Sequence, residues 1–142
     1  GNIHRSDQDC AGGGPVTVEL SAGTGVAVHR ETPNTVSPSN HAYDTRVAGV
    51  VSASPGLVLG EAADSKARIA TTGRVKVQVD ATKHAVALGD LLVTSERSGF
   101  AMKSIPIDLG GVPIHRPGTI LGKALEPRSA GVGEGLALRS RP

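Results

Sequence analysis

Ala42-Tyr43-Asp44-Thr45-Arg46-Val47-Ala48-Gly49-Val50-Val51-Ser52-Ala53-Ser54-Pro55-Gly56-Leu57-Val58-Leu59-Gly60 decides how this chain folds. Its β-forming residues lead to Gly49, a short apolar run follows, and Pro55 ends it. The same pattern returns in Pro117-Gly118-Thr119-Ile120-Leu121-Gly122-Lys123-Ala124-Leu125-Glu126-Pro127. A glycine inside such a run marks a bulge or a place where another backbone comes near, and the proline closes the strand in a turn. Each copy also follows a short strand that opens on glycine: Gly25-Val26-Ala27-Val28 before the first, Gly89-Asp90-Leu91-Leu92-Val93-Thr94 before the second. The chain therefore reads as two related β-units.

Composition agrees. Nineteen Gly and nine Pro among 142 residues argue against long helices, because glycine costs about 1 and proline about 3 kcal/mol in a helix interior. Hydrophobic residues make up 38% and are nearly all Val, Leu, Ile and Ala; Tyr43 and Phe100 are the only aromatics. Rings supply the largest single burials, so this core must be built from small pieces. A core so thin points to apolar surface covered by another copy, hence a homo-oligomer. The net charge of +2 comes without a run of like charges. A nucleic-acid interface would want a basic stripe and, for single strands, stacking rings; neither is present, and no nucleic-acid partner is expected. Cys10 stands alone, which excludes an internal disulfide and a Cys-x-x-Cys site. With no apolar run of membrane-spanning length and no signal-peptide core, membrane insertion is not expected either.

Along the chain, residues 1–15 read as a polar, glycine-rich leader or linker and residues 16–142 as a single all-β domain. Val16–Leu20 alternates as a strand, and Gly25–His29 follows it. Glu31–His41 reads as a polar loop, and Thr45–Ala53 as a central strand. Leu57-Val58-Leu59 reads as a short apolar strand. Lys66–Thr71 and Arg74–Asp80 meet at Thr72-Gly73 like the arms of a hairpin. Val75, Val77 and Val79 would face inward in the second arm. Ala81–Leu88 is the one stretch suited to a helical turn. Leu91–Thr94 and Phe100–Lys103 are strands, Ile105–Arg116 is an irregular excursion with Gly110-Gly111 as a turn, and Thr119–Leu125 and Gly135–Arg139 close the domain. About nine or ten short strands at this spacing fit a barrel, sandwich or compact β-clip.

Read in order, Ala42–Ser52, the Pro-Gly-Leu-x-Leu-Gly element at Pro55–Gly60, Thr-Gly-Arg-Val-x-Val-x-Val at Thr72–Val79, Gly89-Asp90-Leu91-Leu92 running on to Gly99-Phe100-Ala101-Met102-Lys103, and Gly118–Pro127 resemble the C-terminal β-domain of bacterial and phage tail-fibre or appendage proteins. The likeness covers about Ser21 to Leu138. It differs in the first unit, where Gly25-Val26 stands in place of Gly-Asp. The resemblance implies a structural, homotrimeric module in a virion-associated or extracellular setting. Some members self-cleave as intramolecular chaperones, and the Gly-Asp-Leu-Leu element is similar to the turns of β-clip domains.

The chemistry on offer is modest. Ser37, Ser39, Ser52, Ser54, Asp44, His29 and His41 allow a Ser/His/Asp set on paper, yet no Gly-x-Ser-x-Gly elbow joins them; loop hydroxyls and turn-formers are the simpler reading. Self-cleavage needs only one hydroxyl or Asn side chain held against a strained peptide, and Ser39, Asn40, His41 and Ser52 are where it would occur. The five histidines share no ligand spacing, so no metal and no cofactor is expected. Asp44 and Arg46 form a candidate local pair that fixes a loop or meets a ligand or subunit. The expectation is a non-catalytic assembly module, the head or cap of a fibre, appendage or surface-displayed protein. Core and interface candidates are Val47, Gly49, Val51, Leu57, Leu59, Val75, Val77, Leu91, Met102, Ile120 and Leu121. The rivals are an autoproteolytic maturation domain and a module that binds a cell-surface ligand or carbohydrate.

Overall fold

The architecture is that of a computed structural model, which describes residues 20–33, 35–52 and 69–140. These form eleven strands and no helix: β1 Gly25–Val28, β2 Val36–Pro38, β3 Val47–Val51, β4 Ile69–Ala70, β5 Gly73–Asp80, β6 Leu91–Thr94, β7 Ala101–Lys103, β8 Ile107–Leu109, β9 Val112–Ile114, β10 Ile120–Ala124 and β11 Val132–Arg139. The all-β class follows from the composition. Val16–Glu19 and Leu57-Val58-Leu59, read above as strand residues, lie outside the described residues, as do the core candidates Leu57 and Leu59.

The two β-units share one strand order. In the first, β1 lies between β2 and β3, and β3 continues to β4, all antiparallel. In the second, β6 lies between β7 and β10, and β10 continues to β11, again all antiparallel. The glycines correspond as well. Gly49 stands opposite Val26 and Gly122 opposite Leu92, each beside a register shift. Each is pressed against the next strand. A Cβ on Gly49 would sit 2.7 Å from the Ala70 carbonyl oxygen, and one on Gly122 would sit 3.0 Å from that of Leu138. Bulge and close approach, two explanations for a glycine inside a strand, here coincide.

β5 joins the second unit through β11 over its full length and through a single parallel pair, Val79 opposite Ala101. The pairing therefore runs β10-β11-β5-β7-β6 and back to β10. Val75, Val77 and Val79 turn inward from β5 while Arg74 and Lys76 face solvent, as alternation requires. They meet Val50 of the first unit and Leu92, Ala101, Leu121, Ala124 and Ala137 of the second in one core. No aromatic ring enters it. Tyr43 and Phe100 are half-buried, and each carries a guanidinium over its ring, Arg116 at 4.1 Å and Arg97 at 5.6 Å.

The units also lock together. Gly25 N–H donates to the Gly99 carbonyl and Gly99 N–H to that of Ser39. Buried Arg139 spans both glycine-bearing strands, donating from Nη1 to the Leu121 carbonyl (2.8 Å) and from Nη2 to that of Ala48 (3.2 Å). Ala48 directly precedes Gly49 and Leu121 directly precedes Gly122, so one side chain clamps corresponding carbonyls.

Four local expectations are corrected. Thr72-Gly73 joins no hairpin: β4 pairs with β3, while β5 pairs with β11 and β7. The loop Glu31–His41 contains β2, which completes a hairpin with β1. Residues 81–88 form no helical turn; Val86 bridges Arg128 instead. Ile105–Arg116 is not irregular but holds the hairpin β8–β9. Among the core candidates, Leu121, Val51, Val75 and Val77 are buried, and so is Gly49. Val47, Leu91, Met102 and Ile120 are half-buried. At the doublets Leu91-Leu92 and Ile120-Leu121 the second residue points inward, because successive strand residues face opposite sides.

Candidate interaction surface

The hairpin β8–β9 stands apart from the sheets. Its register is Ile107 opposite Ile114, Asp108 opposite Pro113 and Leu109 opposite Val112. Gly110 and Gly111 connect the strands at φ +62° and +90°. Two successive positive φ values make the mirror-image turn that suits strand twist, and only glycine adopts them freely. Asp108 Oδ1 accepts the Gly111 N–H at 2.9 Å and braces the turn.

Directly opposed residues of an antiparallel pair share a face, as do residues two apart. Ile107, Leu109, Val112 and Ile114 therefore form a two-by-two aliphatic block, with Asp108 and Pro113 on the reverse. All four are exposed, Leu109 at 60% and Val112 at 54%. A lone two-stranded hairpin is marginal in water, and a contiguous uncovered apolar face is the usual mark of a contact surface.

The foot of the hairpin is held firmly. Ser104 is buried, and its Oγ lies 2.7 Å from His115 Nδ1, joining the two chain ends of the excursion. Ile105 N–H donates to Tyr43 Oη at 2.9 Å, and Arg116 stacks on the same ring. Tyr43 has φ +56°, the one non-glycine residue with positive φ among those described, a conformation with a local cost. Its backbone is tied to the second unit: Tyr43 N–H donates to the Thr94 carbonyl.

Asp44 and Arg46 sit beside it. Asp44 is buried; its Oδ1 accepts the Arg46 backbone N–H (2.8 Å) and Nε (3.2 Å), and Oδ2 accepts Nη2 (3.3 Å). The Asp44 N–H donates to Thr94 Oγ1, which itself donates to the His41 carbonyl. Burial pushes the Asp44 carboxyl up, but the Arg46 hydrogen bonds and charge, with His41 nearby, outweigh it and hold the group below its ordinary value. The pair is local and fixes the loop that presents Tyr43.

Of Ser39, Asn40, His41 and Ser52, only Ser39 is buried. Ser39 is fully buried and its Oγ has no hydrogen-bond partner, so it does not meet His41. Asn40 and His41 are exposed, and Ser52 follows β3. By its place after the hairpin strand, Ser39 corresponds to Ser104: their N–H groups donate to Gly25 and Leu91, the matching positions of β1 and β6. Sequence reasoning passed over Ser104 and His115 because nothing in their spacing shows that a hairpin brings its two ends together.

Concavities also occur among the described residues. One, of about 320 Å³, is lined by His29, Arg30, Asn40, His41, Asp44 and Arg46 among others. Another, of about 260 Å³, includes Asp80, His84, Glu96, Arg97 and Met102. In it Asp80 accepts Thr82 and Arg97, which hold its carboxyl below the ordinary value against the upward push of burial. Among the described residues no three His, Cys, Asp or Glu side chains converge as a metal site, and no helix is long and apolar enough to cross a membrane.

No family model, curated protein or solved structure matches this chain.

Proposed function

We propose that this chain is a structural assembly module without catalytic turnover. Its working surface is the aliphatic face of β8–β9, by which copies of the chain associate. The observation that carries the reading is four contiguous exposed aliphatic side chains on a braced, projecting hairpin. A ring-free core of Val, Leu and Ala, stapled by backbone contacts and Arg139, suits a scaffold whose use lies in contact. A head or cap of a fibre, appendage or surface-displayed protein is the setting that fits such a module, and the resemblance of its sequence motifs points the same way. The test is the molar mass in solution by light scattering over a wide concentration range. A mass that rises above one chain, and falls back in Leu109→Glu, is expected; a mass of one chain throughout refutes the proposal.

A second reading, a surface-ligand module, rests on the concavity that gathers Arg30, Arg46, His29 and His41. With Asp44 engaged by Arg46, its ligand would be a small anion. Chemical-shift titration with inorganic phosphate should then move the His41 resonances saturably, and Arg30→Ala should abolish the effect. A carbohydrate is less suited, because one face of each aromatic ring is already taken by a guanidinium.

A further inference from the structure

We propose that the outer face of β5, β11 and β10 is a docking surface for an acidic segment of a protein partner, one whose aliphatic residues are flanked by Asp or Glu. It lies apart from β8–β9 and does not rest on the assembly reading above. Register builds the face. Arg74 and Lys123 both stand opposite Leu138, one on each side of β11. One step along, Lys76 stands opposite Leu136, and from the other side Leu125 N–H donates to the Leu136 carbonyl at 2.8 Å. Opposed residues share a face. Val75, Val77, Ala124 and Ala137, which alternate with them, fill the core, so these six side chains turn outward.

The result is a strip of leucines bracketed by cations. Arg74, Lys76 and Lys123 are exposed, and so is Leu138. Elsewhere Arg46 is matched by Asp44, Arg97 by Asp80 and Lys103 by Asp90, but none of these three cations takes part in an ion pair among the described residues. Nearby acids are engaged. Asp90 holds Lys103, and Glu126 Oε1 accepts the Leu136 N–H at 2.8 Å. That leaves Glu134, opposite Gln78, against three positive charges.

Charge complementarity gives the sign of the partner, and the leucines give its class. A nucleic acid would use the cations through its phosphates and leave the leucines idle. A bilayer calls for apolar groups outermost, whereas the longer Arg and Lys stems carry their charges beyond the leucines. An apolar centre inside a polar rim is the anatomy of a protein contact. Adjacent strands lie about 4.8 Å apart, so the backbones of Arg74 and Lys123 are about 10 Å apart across Leu138. One aliphatic side chain fits there between two carboxylates, and such a segment meets every group on the face.

The experiment is a chemical-shift titration of the whole chain with a short synthetic peptide in which every leucine is flanked by glutamates. Saturable shifts are expected in the amides of β5, β10 and β11. Lys123→Glu turns an attraction into a repulsion and should weaken binding about tenfold. Leu138→Gln should weaken it severalfold, and both variants should keep the wild-type urea midpoint. Polyglutamate of equal length should bind more weakly than the peptide, and phosphatidylserine vesicles should not co-sediment the chain. No saturable shift, or shifts centred on other strands, would overturn the proposal. Polyglutamate that binds as tightly as the peptide, with Leu138→Gln unaffected, would replace it with a polyanion site. Vesicles that co-sediment the chain would replace it with a membrane surface. Each of these results leaves the assembly reading standing, because that reading is tested by molar mass and Leu109→Glu.

Discussion

The two β-units share a strand order but differ in what connects their second and third strands. In the first unit residues 39–46 fold back onto the body, held by Thr94 and by the Asp44–Arg46 pair. In the second, residues 104–119 leave the body, form the β8–β9 hairpin and return through the Ser104–His115 contact. The shared strands make a scaffold, and the unequal connection makes the surface. Loops on a rigid frame are where function concentrates, and here one frame carries both a folded-back and a hairpin-bearing version of the same connection.

The largest expected effect falls on the shared glycines and tests whether the units are equally tight. Gly49→Ala would place a methyl 2.6 Å from Ile69 Cγ2 and 2.7 Å from the Ala70 carbonyl oxygen, whereas Gly122→Ala meets the Leu138 oxygen at 3.0 Å. Overpacking of this kind costs about 1–3 kcal/mol, and urea denaturation should find Gly49→Ala at the upper end and Gly122→Ala at the lower. Equal midpoints would show that β4 yields more readily than β11.

Removing the clamp between the units comes next. Arg139→Met strips hydrogen bonds from the Ala48 and Leu121 carbonyls, and a buried polar group left unpaired costs about 1–3 kcal/mol. The thermal midpoint should drop, and amide exchange should quicken in β3 and β10 together. Faster exchange in one strand alone would mean that Arg139 serves a single unit.

The tethered loop can be probed by pH. Because the Asp44 carboxyl is held below its ordinary value in the folded chain, its contribution is complete above that ordinary value and is lost as pH falls through the lower native one. Asp44→Asn should lower stability at neutral pH by about 1–2 kcal/mol, as loss of charge-assisted hydrogen bonds does. It should also flatten this acid limb, measured as urea midpoints across pH. An unaltered limb would mean that the loop does not depend on the pair.

The smallest contrast is between the corresponding serines. Ser104→Ala loses the His115 contact and should cost about 1 kcal/mol. Ser39→Ala removes a buried hydroxyl that has no partner and should be neutral or slightly stabilising. Equal losses would indicate that Ser39 Oγ is satisfied in solution.

Much of the frame was legible. Gly49 and Gly122 stood at matching places in two similar runs, and the alternation of Val75, Val77 and Val79 correctly marked an inward face. Pairing was less so. Thr72-Gly73 looked like a hairpin turn, but Ile69–Ala70 pairs with β3 and not with β5. The excursion at 105–116 looked irregular because its prolines mask an alternation of Ile105, Ile107 and Leu109 around Gly110-Gly111. The Ser104–His115 contact was invisible for the same reason, since its two residues meet only once that hairpin closes.

Composition and local alternation alone determined that this chain is all-β, aromatic-poor in its core and built on two related glycine-bearing units, because helix cost and strand periodicity are properties of neighbouring residues. Tertiary structure alone decided that the units share a strand order, that Arg139 clamps them, and that one connection became an uncovered hairpin. Those outcomes depend on which distant backbones come to lie side by side, and no local pattern carries that information.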